Sequence, residues 1–121
     1  MKRLLKGLDL SSRQEQQIKA IVQDHKSELR ADMTAVLQAR RNLLAVSTAA
    51  PFDENAVQTA QGMLSEAQGH LTVLRAEMFS QVMAVLTPEQ QATVKDKLAR
   101  LSQRMQHGIE RLQAKESPTT P

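Results

Sequence analysis

From Ser12 to Val46 the chain repeats its core-type positions every three or four residues without a break. They are Ile18, Ile21 or Val22, His25, Leu29, Met33, Val36 or Leu37, Arg40 and Leu44. This spacing marks one face of an α-helix. At about 1.5 Å per residue that helix would be roughly 50 Å long, more than a monomeric domain of 121 residues needs. It ends in "STAAPFDENA", where Pro51 cannot continue a helix and Asp53 is placed to cap the next one, with Glu54 in its first turn. Phe52 and Val57 have the spacing of a hydrophobic staple. So short a connection predicts an antiparallel helix pair.

The second helix, about 54–86, carries Val57, Ala60, Leu64, Ala67, Leu71, Leu74, Met78, Val82 and Val85 in a near-heptad pattern, as in coiled-coil packing. Gly62 and Gly69 lie seven apart on it; they weaken the helix by up to ~1 kcal/mol each or admit a close partner helix. A third helix, about 88–114, shows Gln91, Val94, Leu98, Leu101, Met105, Ile109 and Leu112. Residues 1–114 are therefore expected to be one all-α domain, and 115–121, "KESPTTP", a disordered tail. Composition agrees. With Gly 4, Pro 4, Phe 2 and no Trp or Tyr, good helix formers dominate and the core must be aliphatic. Dimerisation would help so small a core.

Two short stretches share one rhythm: Leu10-Ser11-x-x-Gln14 and Leu86-Thr87-x-x-Gln90. Each is a helix start, with Ser11 or Thr87 at the N-cap and Gln14 or Gln90 three residues on, the glutamine form of the capping box. Pro88 occupies the first helical position, where its missing N–H costs nothing, and it pushes Thr87 out of the α region. The preceding helix should therefore break near Leu86 and a new one start at once.

Two such boxes, each preceded by Leu and opening a long amphipathic helix, resemble the LTxxQ-motif family of bacterial envelope proteins. That family includes Spy- and CpxP-type chaperones and zinc-resistance-associated proteins. The likeness runs through "LDLSSRQEQQIKAI", the Phe52-Asp53 helix start and "AVLTPEQQATV", with Ser11 in place of the usual Thr. The resemblance implies four helices, one short (around residues 2–7) and three long, paired antiparallel in a thin, curved, cradle-shaped homodimer. It also implies a periplasmic, ATP-independent chaperone that weakly holds unfolded or partly folded clients on a concave surface and limits their aggregation. Alternatives within the family are an envelope-stress regulator that binds a sensor kinase's periplasmic domain, and a metal-responsive sensor. The N-terminus lacks a signal peptide's apolar region and cleavage site, so export would mean that a leader has been removed.

The residues themselves narrow the chemistry. There is no cysteine, no Gly-rich phosphate loop and no apolar run long enough to span a membrane. His25, His70 and His107 fall on three different expected helices with no nucleophile or carboxylate dyad beside them, so no enzyme is expected. As zinc or other divalent-metal ligands they lack i, i+4 pairing and would have to converge across a dimer; no cofactor is expected. Nucleic acid is excluded by the missing aromatics and helix-turn-helix.

Net charge is +3, distributed as +4 over residues 1–47, −3 over 48–86 and +2 over 87–121, which favours an interaction surface over a polyanion-binding stripe. Lys26, Arg30, Arg40 and Arg41 line the first long helix, as a solvated face or as a positive rim for acidic clients. Candidate apolar contacts for clients are Leu4, Leu5, Leu8, Leu10, Val22, Leu29, Met33 and Met78, with methionine suited to varied partners. Met63 and Met105 are expected to fill the core.

Overall fold

The computed structural model describes residues 2–116, which form four helices and no strand: α1 (Lys2–Leu5), α2 (Ser12–Ser47), α3 (Glu54–Val85) and α4 (Pro88–Glu116). One is short and three are long, as expected. The predicted tail begins inside α4, at Lys115 and Glu116; its remainder, residues 117–121, lies outside the described residues. Contacts divide the chain into two compact units. Ser11–Val85 holds α2 and α3, and the residues up to Leu10 with those from Leu86 on hold α1 and α4.

In the α2–α3 unit the Ser11 box is complete. The Gln14 N–H donates to Ser11 Oγ at 3.1 Å and the Ser11 N–H donates to Gln14 Oε1 at 3.0 Å. The same side chain, only 9% exposed, uses its other end as well: Gln14 Nε2 donates to the Val85 carbonyl at 3.2 Å. Val85 closes α3, so this bond satisfies a carbonyl that has no partner within its own helix. At the far end Thr48 donates its N–H and its hydroxyl to Leu44 O at 3.2 and 2.8 Å, and α2 stops. Asp53 then starts α3, accepting from the Ala56 N–H at 3.2 Å. Phe52 stays 73% exposed, so this turn is set by the Asp53 cap and not by the expected staple.

Every residue expected on the inner stripe of α3 is buried or half-buried, from Val57 to Val85. On α2 the expected stripe holds as far as Leu29 and again at Val36, one of the two residues offered for that position. Beyond Leu29 the inward positions are Asp32, Val36, Ala39, Leu43 and Val46, while Met33, Leu37 and Leu44 remain 43%, 61% and 65% exposed. The reason is periodic. Steps of three and four in alternation follow the mean of 3.5 at which two packed helices keep facing one another, and a run weighted toward fours drifts off that seam. Val36, Ala39, Leu64 and Leu71 form the core between the helices, flanked by Leu29, Leu43 and Ala67. A Cβ added at Gly62 or Gly69 would meet nothing within 4 Å, so neither glycine serves a close approach inside the chain.

In the second unit, Gly7 (φ +82°) and Asp9 (φ +53°) turn the chain out of α1 through the left-handed region. Lys97 of α4 donates to Leu4 O at 3.3 Å and Lys6 O at 2.7 Å, placing a cation on carbonyls that α1 leaves open. The Thr87 box repeats the first: the Gln90 N–H donates to Thr87 Oγ1 at 3.2 Å and the Thr87 N–H to Gln90 Oε1 at 3.0 Å. Gln90 Nε2 again reaches far along the chain, to Leu8 O at 3.1 Å. Leu8, Leu86 and Val94 are the buried residues here. Past Leu98 the expected stripe of α4 faces out, with Leu101, Met105, Ile109 and Leu112 between 41% and 66% exposed.

Two predictions follow from these placements. Replacing Gln by Glu keeps the acceptor of the box and removes the donor to the distant carbonyl. Gln90→Glu should cost about 1 kcal/mol, the net worth of one hydrogen bond, and Gln14→Glu about 2 kcal/mol or more, since it also buries a carboxylate against the Val85 carbonyl. Urea unfolding midpoints measure both; equal small losses would show that the amide donors do not matter. By the same assay Met78→Ala, at a position 4% exposed, should lose about 2–4 kcal/mol, and Met33→Ala, 43% exposed, less than about 0.5 kcal/mol.

Candidate functional site

An antiparallel pair buries one stripe of each helix and leaves each with two flanks. The flanks of α2 and α3 differ in chemistry. On one side α2 presents Val22 (38% exposed), Met33, Leu37 and Leu44, interleaved with Lys26, Arg30 and Arg40. A groove of ≈ 390 Å³ runs between Lys26, Leu29, Arg30, Met33, Thr34 and Leu37. A smaller one of ≈ 180 Å³ adds Arg40 from α2 with Leu71 and Arg75 from α3. This face is apolar at its floor and cationic at its rim.

The other side is acidic. Glu28 and Asp32 of α2 and Glu66, His70 and Glu77 of α3 line a cleft of ≈ 440 Å³. It adjoins one of ≈ 400 Å³ walled by small side chains, Ala35, Ala39 and Ala67, with Met63. Among the described residues the ion pairs, Asp96–Arg100 at 3.0 Å and Glu110–His107 at 3.8 Å, are both in α4. The four bases and four acids of the α2–α3 faces are held apart on opposite sides, all exposed except the half-buried Asp32.

The expected site residues therefore sort into three groups. Val22, Lys26, Leu29, Arg30, Met33 and Arg40 come together on the basic face; Arg41 is exposed beside Arg40 but lines neither groove. Leu4, Leu5 and Leu10 belong to the other unit and are half-buried there. Leu8 (7% exposed) and Met78 (4%) are corrections: both are enclosed by the fold and present no face. Met63 and Met105 are corrections in the opposite sense, standing 56% and 61% exposed where core filling was expected. Arg75, Leu37 and the acidic face had not been singled out. Arg75 and the acidic pairing of α2 with α3 emerge only once the antiparallel register is known, in which His25 Nε2 stands 3.0 Å from Gln81 Oε1.

The histidines stand apart in kind. His25 is half-buried and bonded to Gln81, His70 is exposed beside Glu66, and His107 is exposed near Glu110. Among the described residues no three of His, Asp and Glu stand close enough to hold a metal ion, and no helix is long and apolar enough to cross a membrane.

Comparison with known proteins places this arrangement. Periplasmic protein CpxP of Escherichia coli strain K12 is 32% identical over 91 residues, covering 75% of this chain and 53% of that protein. CpxP of Escherichia coli strain O6:H1 gives the same figures. The chain thus spans about half the length of the curated relatives it matches. No solved structure gives a significant match. The family model described as heavy-metal resistance matches residues 2–93, a span that takes in both capping boxes and the whole α2–α3 pair. By that match and its paired LTxxQ-type helix starts, the chain belongs to the heavy-metal resistance family, with similarity to periplasmic CpxP.

Proposed function

We propose that this protein is an ATP-independent holding chaperone of the periplasm, weakly binding unfolded or partly folded chains on the basic–apolar face of α2 and α3. The observation that carries this reading is the interleaving of exposed Val22, Met33, Leu37 and Leu44 with Lys26, Arg30, Arg40 and Arg75. Scattered apolar side chains supply short-range contact to any sequence, and methionine repacks against varied partners. The bases attract acidic clients over about 8–10 Å at ordinary ionic strength. Contacts that are individually weak let a client fold while held. The periplasmic assignment rests on the relatives' location. An antiparallel homodimer fits as well, since the outward stripe of α4 from Leu101 to Leu112 is a surface that a second copy would cover.

At equimolar amounts the protein should slow the aggregation of several unrelated unfolded proteins, read by light scattering. Replacing Lys26, Arg30 and Arg40 by Gln should weaken this mainly at low salt. Met33→Ser with Leu37→Ser should weaken it at every salt concentration. No suppression with any client sinks the chaperone reading. Tight binding to one sensor-kinase domain, with no effect on other proteins, would replace it with the regulator.

The family's description favours one second reading, a metal-responsive sensor with ligands assembled between copies. That reading requires stoichiometric zinc or nickel uptake, lost when His25, His70 and His107 are changed to Ala. Calorimetry that finds no saturable uptake by the wild-type chain removes it.

A further inference from the structure

One stripe of α3 and one of α4 face solvent and mirror each other. On α3, steps of three, four, four and three lead from Glu66 through Gly69, Val73 and Glu77 to Ser80, all exposed. Steps of that kind stay on one side of a helix, and the first four of these residues line a single cleft. Val73 stands 68% exposed between the two acids. On α4 the same steps, counted backward, lead from Lys115 through Leu112, Gly108 and Arg104 to Leu101. Leu112 is 66% exposed and Leu101 41%, beside two exposed bases.

Laid antiparallel, the two stripes match layer by layer. Glu66 meets Lys115 and Glu77 meets Arg104, opposite in sign both times. Leu112 meets Gly69, Val73 meets Gly108 and Leu101 meets Ser80, a large side chain against a small one each time. A Cβ added at Gly69 or Gly108 would meet nothing within 4 Å, so both glycines are open notches on the chain. The two acids and the two bases are the same eleven residues apart, about 16 Å along either helix. His70 and Arg111 share a level at the margin of the seam, where Arg111 can turn its head to water. Parallel alignment on the glycines loses the match, facing Val73 with Leu112 and Glu66 with Met105. Among the described residues none of the four charges is taken up in an ion pair.

We propose that in the homodimer α3 of each copy pairs antiparallel with α4 of its partner in this register. The interface is isologous: the seam made by α3 of one copy and α4 of the other recurs with the roles exchanged, and the assembly closes at two. The α4 half of the seam lies beyond residue 93, where the family match ends. Pairing covers the acidic flank of α3 and leaves Lys26, Met33, Leu37 and Arg40 on the opposite side for clients. The inference rests on the homodimer of the proposed function and is independent of client holding.

Sedimentation of the full chain over a range of concentrations tests it. The wild-type mass should rise to that of two chains and stop there. Glu66→Lys/Glu77→Lys makes both stripes basic, and Arg104→Glu/Lys115→Glu makes both acidic. Each variant alone should need at least about tenfold more protein to dimerise. An equal mixture of the two should dimerise like the wild type, because both seams of the mixed pair join opposite charges. Register has its own readout. The chain has no cysteine, so Val73→Cys/Gly108→Cys should give a disulfide-linked dimer under mild oxidation, and Val73→Cys/Leu112→Cys far less. Charge variants that are helical by circular dichroism and dimerise as tightly as the wild type overturn this seam alone. So does cross-linking that favours Val73→Cys/Leu112→Cys. A wild-type chain that stays single at every concentration overturns the seam and the homodimer together, and leaves client holding to the aggregation assay.

Discussion

Two helices lying side by side bury one stripe of each, and the surface chemistry of α2 and α3 is a consequence of that limit. The seam between them is filled by Val36, Ala39, Leu64 and Leu71. Enclosing a Leu completely is worth about 1.5–3 kcal/mol, yet Leu37 and Leu44 lie one position off the seam and stay more than half exposed. The pair has no third layer inside its own unit to receive them. On α2 the apolar surface left out in this way, Val22, Met33, Leu37 and Leu44, lies along a single flank, beside the bases, while on α3 Met63 and Val73 stand exposed on the acidic side.

The helix starts depend on a property of glutamine that no other side chain supplies at the same reach. One end of the amide accepts and the other donates. Oε1 of Gln14 and of Gln90 takes the N–H of its own N-cap residue, and Nε2 is then free to bond a carbonyl more than seventy residues away, Val85 O and Leu8 O respectively. A carboxylate would complete the box and repel the carbonyl. The hydroxyl partner only accepts from a backbone N–H, so Ser and Thr are interchangeable there, and Ser11 closes its box as well as Thr87 does. The motif is thus a local cap and a tertiary tie made by one side chain.

How much of this was legible in the sequence depended on the element. The α3 stripe could be read completely, because its apolar residues keep the 3.5 spacing throughout, which Met63, Val73, Phe79 and Met83 beside them do not. On α2 two stripes run side by side, Ile21 next to Val22 and Val36 next to Leu37, and only the partner helix decides which turns inward. On α4 the pattern was real but its neighbour was not there: an amphipathic stripe reports that a helix has an apolar face, never what covers it. Met78 and Met63 show the same limit, one enclosed and one exposed on a single helix. The bases of α2 were visible along one helix. Arg75 and the acidic face were not, because they join residues some forty positions apart through a register that helical period alone does not specify.

The charge order on α2 carries a further argument. Lys26 and Arg30 are four apart, as are Glu28 and Asp32, and like charges at that spacing cost an isolated helix a few tenths of a kcal/mol each. α4 shows the alternative on the same chain, with Asp96 and Arg100 four apart and paired at 3.0 Å. A pair of that kind cancels its own field within a few ångströms. Between Lys26 and Arg40 the α2 arrangement gives up this local support and sets its bases on one face and its acids on the other, with fields that extend about a Debye length into solvent. Same-sign rows are of use only toward something that approaches from outside, and this holds for a client, for a regulatory partner and for another copy alike.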